Sequence, residues 1–109
     1  MKHPSESFEQ EILVRYLDKN NYLYSATSNG QFLRSKAAQA KNKRQGVRRG
    51  LPDIIGVKDT TVFFLELKRK KGGRVSPEQK IWVEQLTACG VAVRVCAGAD
   101  EAIKWIESL

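Results

Sequence analysis

An α/β fold is predicted: a mixed β-sheet flanked by helices in the order α-β-α-β-β-α-β-α. Three observations predict it. Apolar residues recur at helical spacing in Ser5–Lys19, after Pro77 and again after Asp100. Two alternating runs, Gly50–Lys58 and Val62–Lys68, flank Asp59-Thr60, two residues that tolerate chain reversal. A further β-branched run, Val91–Cys96, is bracketed by helical patterns and is expected beside the strand that carries Glu66.

Ser5 is a suitable N-cap for the first helix, and Glu6 and Glu9 suit the positive end of its dipole. Phe8, Ile12, Leu13, Tyr16 and Leu17 form its apolar stripe. Glu6, Glu9 and Gln10 border or lie within that stripe, and helical geometry alone slightly favours Glu9 as the inward acid. Asn20-Asn21 ends the helix, Tyr22–Thr27 reads as a strand, and Ser28-Asn29-Gly30 as a turn. Phe32 to about Arg44 is rich in alanine and basic residues, which predicts a cationic helix on the surface. Gln45–Leu51 is a loop. After the hairpin, Lys70–Arg74 is a basic loop. Ser76-Pro77-Glu78-Gln79 then carries an N-cap, proline at the first helical position and the glutamine of a capping box. Trp82, Val83, Leu86 and Cys89 are expected as that helix's buried stripe, with Gly90 ending it. Ala102, Ile103, Trp105, Ile106 and Leu109 are the inward face of the last helix.

At 109 residues the chain is read as one domain, 1–109, with 41% hydrophobic content and no run approaching a membrane span. Met1–Glu6 lacks the apolar core of a signal peptide, which places the protein in the cytoplasm. Cys89 and Cys96 lack CxxC spacing and read as small core residues. Net charge is +7, so an anionic partner is expected. No acidic residue lies between Asp18 and Asp53, an interval that contains Lys36, Lys43, Arg44, Arg48 and Arg49. A second cluster, Lys68 to Arg74, includes Lys70. Both adjoin the hairpin, so a polyanion held by them is delivered to it. In that setting Gly50 serves either a close approach of the backbone to DNA or a plain turn.

Antiparallel pairing about Asp59-Thr60 sets Lys58 opposite Thr61 and, by the same register, Asp53 opposite Glu66. Facing residues have Cβ atoms only ~5 Å apart, so two carboxylates there need a cation between them or a shared proton. Lys68 shares the face of Glu66, roughly 7 Å along the strand, while Phe63, Leu65 and Leu67 point to the core. Two carboxylates suit a hard ion such as Mg²⁺, with Mn²⁺ as substitute, and a neighbouring ammonium suits steadying charge on a phosphate. No Cys/His cluster suits zinc, and no small-molecule cofactor site is evident.

Pro52-Asp53 followed by Glu66-Leu67-Lys68 resembles the PD-(D/E)XK nuclease signature. With Gly46–Asp53 before it and Gly73-Arg74-Val75-Ser76-Pro77-Glu78-Gln79-Lys80 after it, the series is similar to the VRR-NUC branch, whose small stand-alone forms occur in phages and prophages. The resemblance runs from about Ser5 to Trp105. It implies the restriction-endonuclease-like core of PD-(D/E)XK enzymes. It also favours Glu6 over Glu9 as a third acidic group, with Gln10 its neighbour. Gln79 gains a second role near the attacking water, supported by Ser76. Arg34, after Asn29-Gly30, becomes a phosphate contact beside Lys36, Lys43, Arg44, Arg48, Arg49, Lys70 and Arg74.

The expectation is a Mg²⁺-dependent endonuclease. Asp53 and Glu66 hold the ion, helped by the Leu67 carbonyl and by Glu6, directly or through water, and Lys68 orients the attacking water. The resemblance further implies a homodimer acting on branched DNA such as four-way junctions. The rival readings are a basic DNA-binding module without catalysis and a nuclease of the same fold acting on other DNA structures or RNA.

Overall fold

A computed structural model describes residues 4–27 and 35–109. Its elements are α1 (Glu6–Lys19), β1 (Leu23–Ala26), α2 (Lys36–Arg44), β2 (Ile54–Lys58), β3 (Thr61–Lys68), α3 (Pro77–Ala88), β4 (Ala92–Ala97) and α4 (Ala99–Ser108). The order is the predicted one. The four strands form a mixed sheet in the order β1-β2-β3-β4, antiparallel except for β3 and β4, which run parallel. The connection through α3 permits that parallel pairing.

The β2–β3 hairpin turns at Asp59, whose φ of 53° lies in the left-handed region that aspartate tolerates. Lys58 pairs with Thr61 and Ile54 with Leu65, the expected register. Phe63, Leu65 and Leu67 of β3 are fully buried with Leu13 and Leu17 of α1 and Ala102 and Ile106 of α4. Glu66 alternates with these residues and so faces the other way.

Two helices differ from their sequence patterns. In α1 the buried positions are Glu9, Leu13 and Leu17, spaced by four, while Phe8 at the helix start is half exposed. In α3 no residue is fully buried: Trp82, Val83 and Leu86 are half-buried, Ile81 is 59% exposed and Cys89 is exposed. The cause is that β4 is the sheet edge. Its central positions on that side, Val93 and Val95, are themselves only half-buried, so α3 lies over an incomplete surface.

The helix α2 has no buried residue, as its composition suggests. Ser28–Arg34, with the predicted turn, Phe32, Leu33 and the candidate contact Arg34, lie outside the described residues, as does His3. Among the described residues no helix is long and apolar enough to cross a membrane.

Candidate active site

The site is built where β2 begins and β3 ends. Pro52 is buried and fixes the backbone just before Asp53. The β2–β3 ladder ends at the Ile54–Leu65 pair, and Asp53 sits one residue before it, where its Oδ2 accepts from the Leu67 N–H at 2.9 Å. Thr27, at the end of β1, holds the other side of this segment. Its N–H donates to the Asp53 carbonyl at 2.7 Å and its hydroxyl to the Pro52 carbonyl at 2.8 Å. Thr27 had no distinguishing signal in the sequence, because its role depends on strand pairing 25 residues away.

Three acids converge. Oxygen atoms of Glu6, Asp53 and Glu66 all lie within 4.8 Å of one another. Glu66 is 1% exposed. Its Oε2 accepts from Gln79 Nε2 at 2.8 Å and lies 3.3 Å from Lys68 Nζ. Its Oε1 is buried and has no partner. A buried carboxylate oxygen left unsatisfied is costly. Burial first, then the adjacent Asp53 carboxylate, push Glu66 up to about 8, while Lys68 pulls the other way. Glu6 is also raised, by burial and then by Asp53, against the lowering effect of Lys68 and Arg69. The donor set fits a divalent cation: three carboxylates offer hard oxygen ligands, Glu66 keeps a buried oxygen unpartnered, and Glu6 and Glu66 resist ionising without added positive charge.

The structure separates the two candidate acids of α1. Glu6 joins Asp53 and Glu66. Glu9, the one favoured by helical geometry alone, is indeed buried, at 1% exposure, but its Oε1 accepts from the Ala99 N–H at 2.9 Å. It therefore caps the start of α4, where a carboxylate meets the positive end of the helix dipole.

Gln79 completes the capping box and also reaches Glu66. Its N–H donates to Ser76 Oγ at 3.1 Å and its Oε1 accepts from the Ser76 N–H at 2.8 Å, completing the capping box. Pinning Oε1 aims Nε2 at Glu66. The cap is thus the device that positions the amide, with Ser76 behind it.

Gly50 faces protein. It is buried with φ +94°, and a Cβ there would lie 2.5 Å from the Glu78 carbonyl carbon. It lets the loop before Asp53 press against the first turn of α3, and Trp82 Nε1 fastens the same loop through the Arg49 carbonyl at 3.1 Å. Gly50→Ala is expected to cost at least about 2 kcal/mol, from the strained φ and the collision with backbone. A denaturant melt checks this.

Lys36, Lys43, Arg44, Arg48, Arg49 and Arg74 are exposed. Arg48 donates to the Lys43 and Val47 carbonyls, which ties the loop to the end of α2. Lys70 is partly committed elsewhere: its Nζ lies 3.8 Å from Asp100 Oδ2 and its stem runs beneath Gly98. Gln10 lines a cleft of about 610 Å³ together with Glu6, Asp53 and Thr27.

The sequence model of the VRR-NUC domain matches residues 4–100. The chain belongs to the VRR-NUC family. A solved structure described as a VRR_NUC domain protein is 26% identical, with a TM-score of 0.70 over 97% of this chain and 88% of that one. A second, described as a VRR_NUC domain, is 19% identical with a TM-score of 0.68 over 94% of each chain, a likeness of fold. Among curated proteins nothing matches the chain. Membership in the VRR-NUC family implies a nuclease-type fold, with DNA as substrate.

Proposed function

We propose that this VRR-NUC chain is a single-domain, divalent-metal-dependent endonuclease that hydrolyses phosphodiester bonds in branched DNA, four-way junctions included. The observation that carries the reading is the convergence of carboxylate oxygens of Glu6, Asp53 and Glu66 within 4.8 Å of one another, beside a Glu66 carboxylate that keeps one buried oxygen unpartnered. Asp53, Glu66 and Glu6 hold Mg²⁺ or Mn²⁺, with the Leu67 carbonyl as a further oxygen donor. When bound, such an ion supplies Lewis acidity, lowering the pKa of water and offsetting charge on the phosphate.

The side chains do the rest. Lys68, 12% exposed and held at Glu66, presents its ammonium to the attacking water and to the charge that grows on the phosphate in the transition state. Gln79 holds Oε2 of Glu66, while Oε1 has no hydrogen-bond partner of its own among the described residues. Ser76 holds Gln79 in turn. Gln10 extends the polar wall beside Glu6. Lys36, Lys43, Arg44, Arg48, Arg49 and Arg74, with Lys70 and Arg34, hold the phosphate backbone and set the salt dependence of binding.

Two such sites related by a twofold axis would place paired nicks in a symmetric junction, so the chain acts as a homodimer, in the cytoplasm. The deciding experiment compares linear duplex, flap, four-way junction and RNA, with Mg²⁺ and with EDTA. Junction cleavage that EDTA stops is the expected result. Binding without cleavage under every condition would favour the non-catalytic module, and preferential RNA cutting the RNA-directed nuclease. Reversing the charge of both Arg48 and Arg49 is expected to weaken junction binding at least tenfold and to lower its salt slope by about 2, read from a salt titration of binding.

A further inference from the structure

Among the described residues, none of either basic cluster lines the cleft that opens from Glu6 and Asp53. It follows α1 along Gln10, Glu11, Val14 and Arg15, residues that share one helix face, and is closed opposite them by the end of β1 at Ala26 and Thr27. Thr27 is bonded to Pro52 and Asp53, so this wall is fixed to the segment that carries the acid.

Arg15 is exposed on this wall and has no ion-pair or hydrogen-bond partner among the described residues. The neighbouring Gln10 amide has none either, although it is half-buried. Both belong to a helix that also carries Glu6, Glu9, Glu11 and Asp18, so charge density along the sequence hides Arg15. At 1.5 Å per residue, Arg15 stands about 13 Å along the helix from Glu6. That is too far for the phosphate being cut and suits another phosphate of the same strand. The apolar part of the wall, Val14 and Ala26, suits sugar or base surface. Glu11, the opposing charge, lies one turn short of Arg15 and can accept from a base amino group.

We propose that this cleft seats the strand being cut on one side of the scissile phosphate, with Gln10 beside the cut and Arg15 holding a phosphate further along. The inference rests on the nuclease reading above and adds to it a strand path and a residue.

The test measures binding in EDTA, so that it does not depend on catalysis. Probes are four-way junctions whose cut strand ends one nucleotide beyond the cleavage position on one side or the other, alongside the untrimmed junction. Arg15→Gln is expected to weaken binding of the untrimmed junction about fivefold and to reduce the salt slope by about 0.9, the value of one phosphate contact. Arg15→Lys should restore the slope. Trimming one particular side should abolish the difference between wild type and Arg15→Gln, and trimming the other side should preserve it. Equal binding of the untrimmed junction by Arg15→Gln and wild type overturns the proposal. A loss indifferent to trimming on both sides also overturns it, because it would mark a long-range charge effect. Cleavage by the wild type in Mg²⁺ is scored separately: its absence would sink the nuclease reading, whereas a null result for Arg15 alone would leave that reading standing.

Discussion

Asp53→Asn is expected to reduce junction cleavage by about a thousandfold or more while junction binding survives. Asparagine keeps an acceptor for the Leu67 N–H, which Asp53 Oδ2 now takes at 2.9 Å, so the β2–β3 connection is preserved. What disappears is one negative charge among three oxygens within 4.8 Å, the feature proposed to attract the ion. Losing one preorganised electrostatic group at a reacting centre commonly costs a hundredfold to a thousandfold. An ion ligand belongs at or beyond the top of that range. Asp53→Ala would confound the reading, because an N–H left without its acceptor costs about 1–3 kcal/mol in stability. Lys68→Ala should likewise stop cutting and spare binding. Normal activity in Asp53→Asn would show that the site has been misassigned.

Thermal stability without divalent ions should fall as pH rises toward 8, and added Mn²⁺ should reverse that fall. Glu66 is raised from 4.5 to about 8, by burial and then by Asp53. Between those values the folded chain keeps a proton that the unfolded chain has released. The folded state therefore binds more protons, and stability declines with rising pH throughout that window. Above it, the carboxylate is charged and buried, with Oε1 unpartnered. An ion bound there favours the ionised form, so its affinity should climb with pH across the same interval by up to tenfold per unit. Melting curves at pH 6 and pH 8.5, with and without Mn²⁺, test both halves. The rise in Tm caused by Mn²⁺ should be several-fold larger at pH 8.5. In Glu66→Gln, both the decline with pH and most of the Mn²⁺ response should vanish. A Mn²⁺ response of equal size at the two pH values would mean that Glu66 does not hold the ion.

Much of this site was legible in the chain because it is local. Asp53 and Glu66 are joined by a hairpin whose turn, Asp59-Thr60, determines every pairing between them. Alternation then separates Glu66 and Lys68 from Leu65 and Leu67. The cap at Ser76 and Gln79 spans three residues and is readable for the same reason. The expected burial of the α3 stripe failed because an apolar pattern states which face is suited to burial, not whether the opposing surface is complete. Gly50 followed a similar course. The sequence offers it as a turn or as a close approach of the backbone to DNA, and the group that approaches is the backbone of α3.

The amino-acid sequence by itself determined the element order, the hairpin register and the adjacency of the acids to the lysine, since each depends on contacts a few residues apart. Only the tertiary structure decided that Glu6 joins the acids while Glu9 caps α4, and that Arg15 looks into the same cleft. The contact that commits Glu9 lies 90 residues away. Helical periodicity defines the direction of a side chain, but the partner that awaits it depends on how distant elements pack.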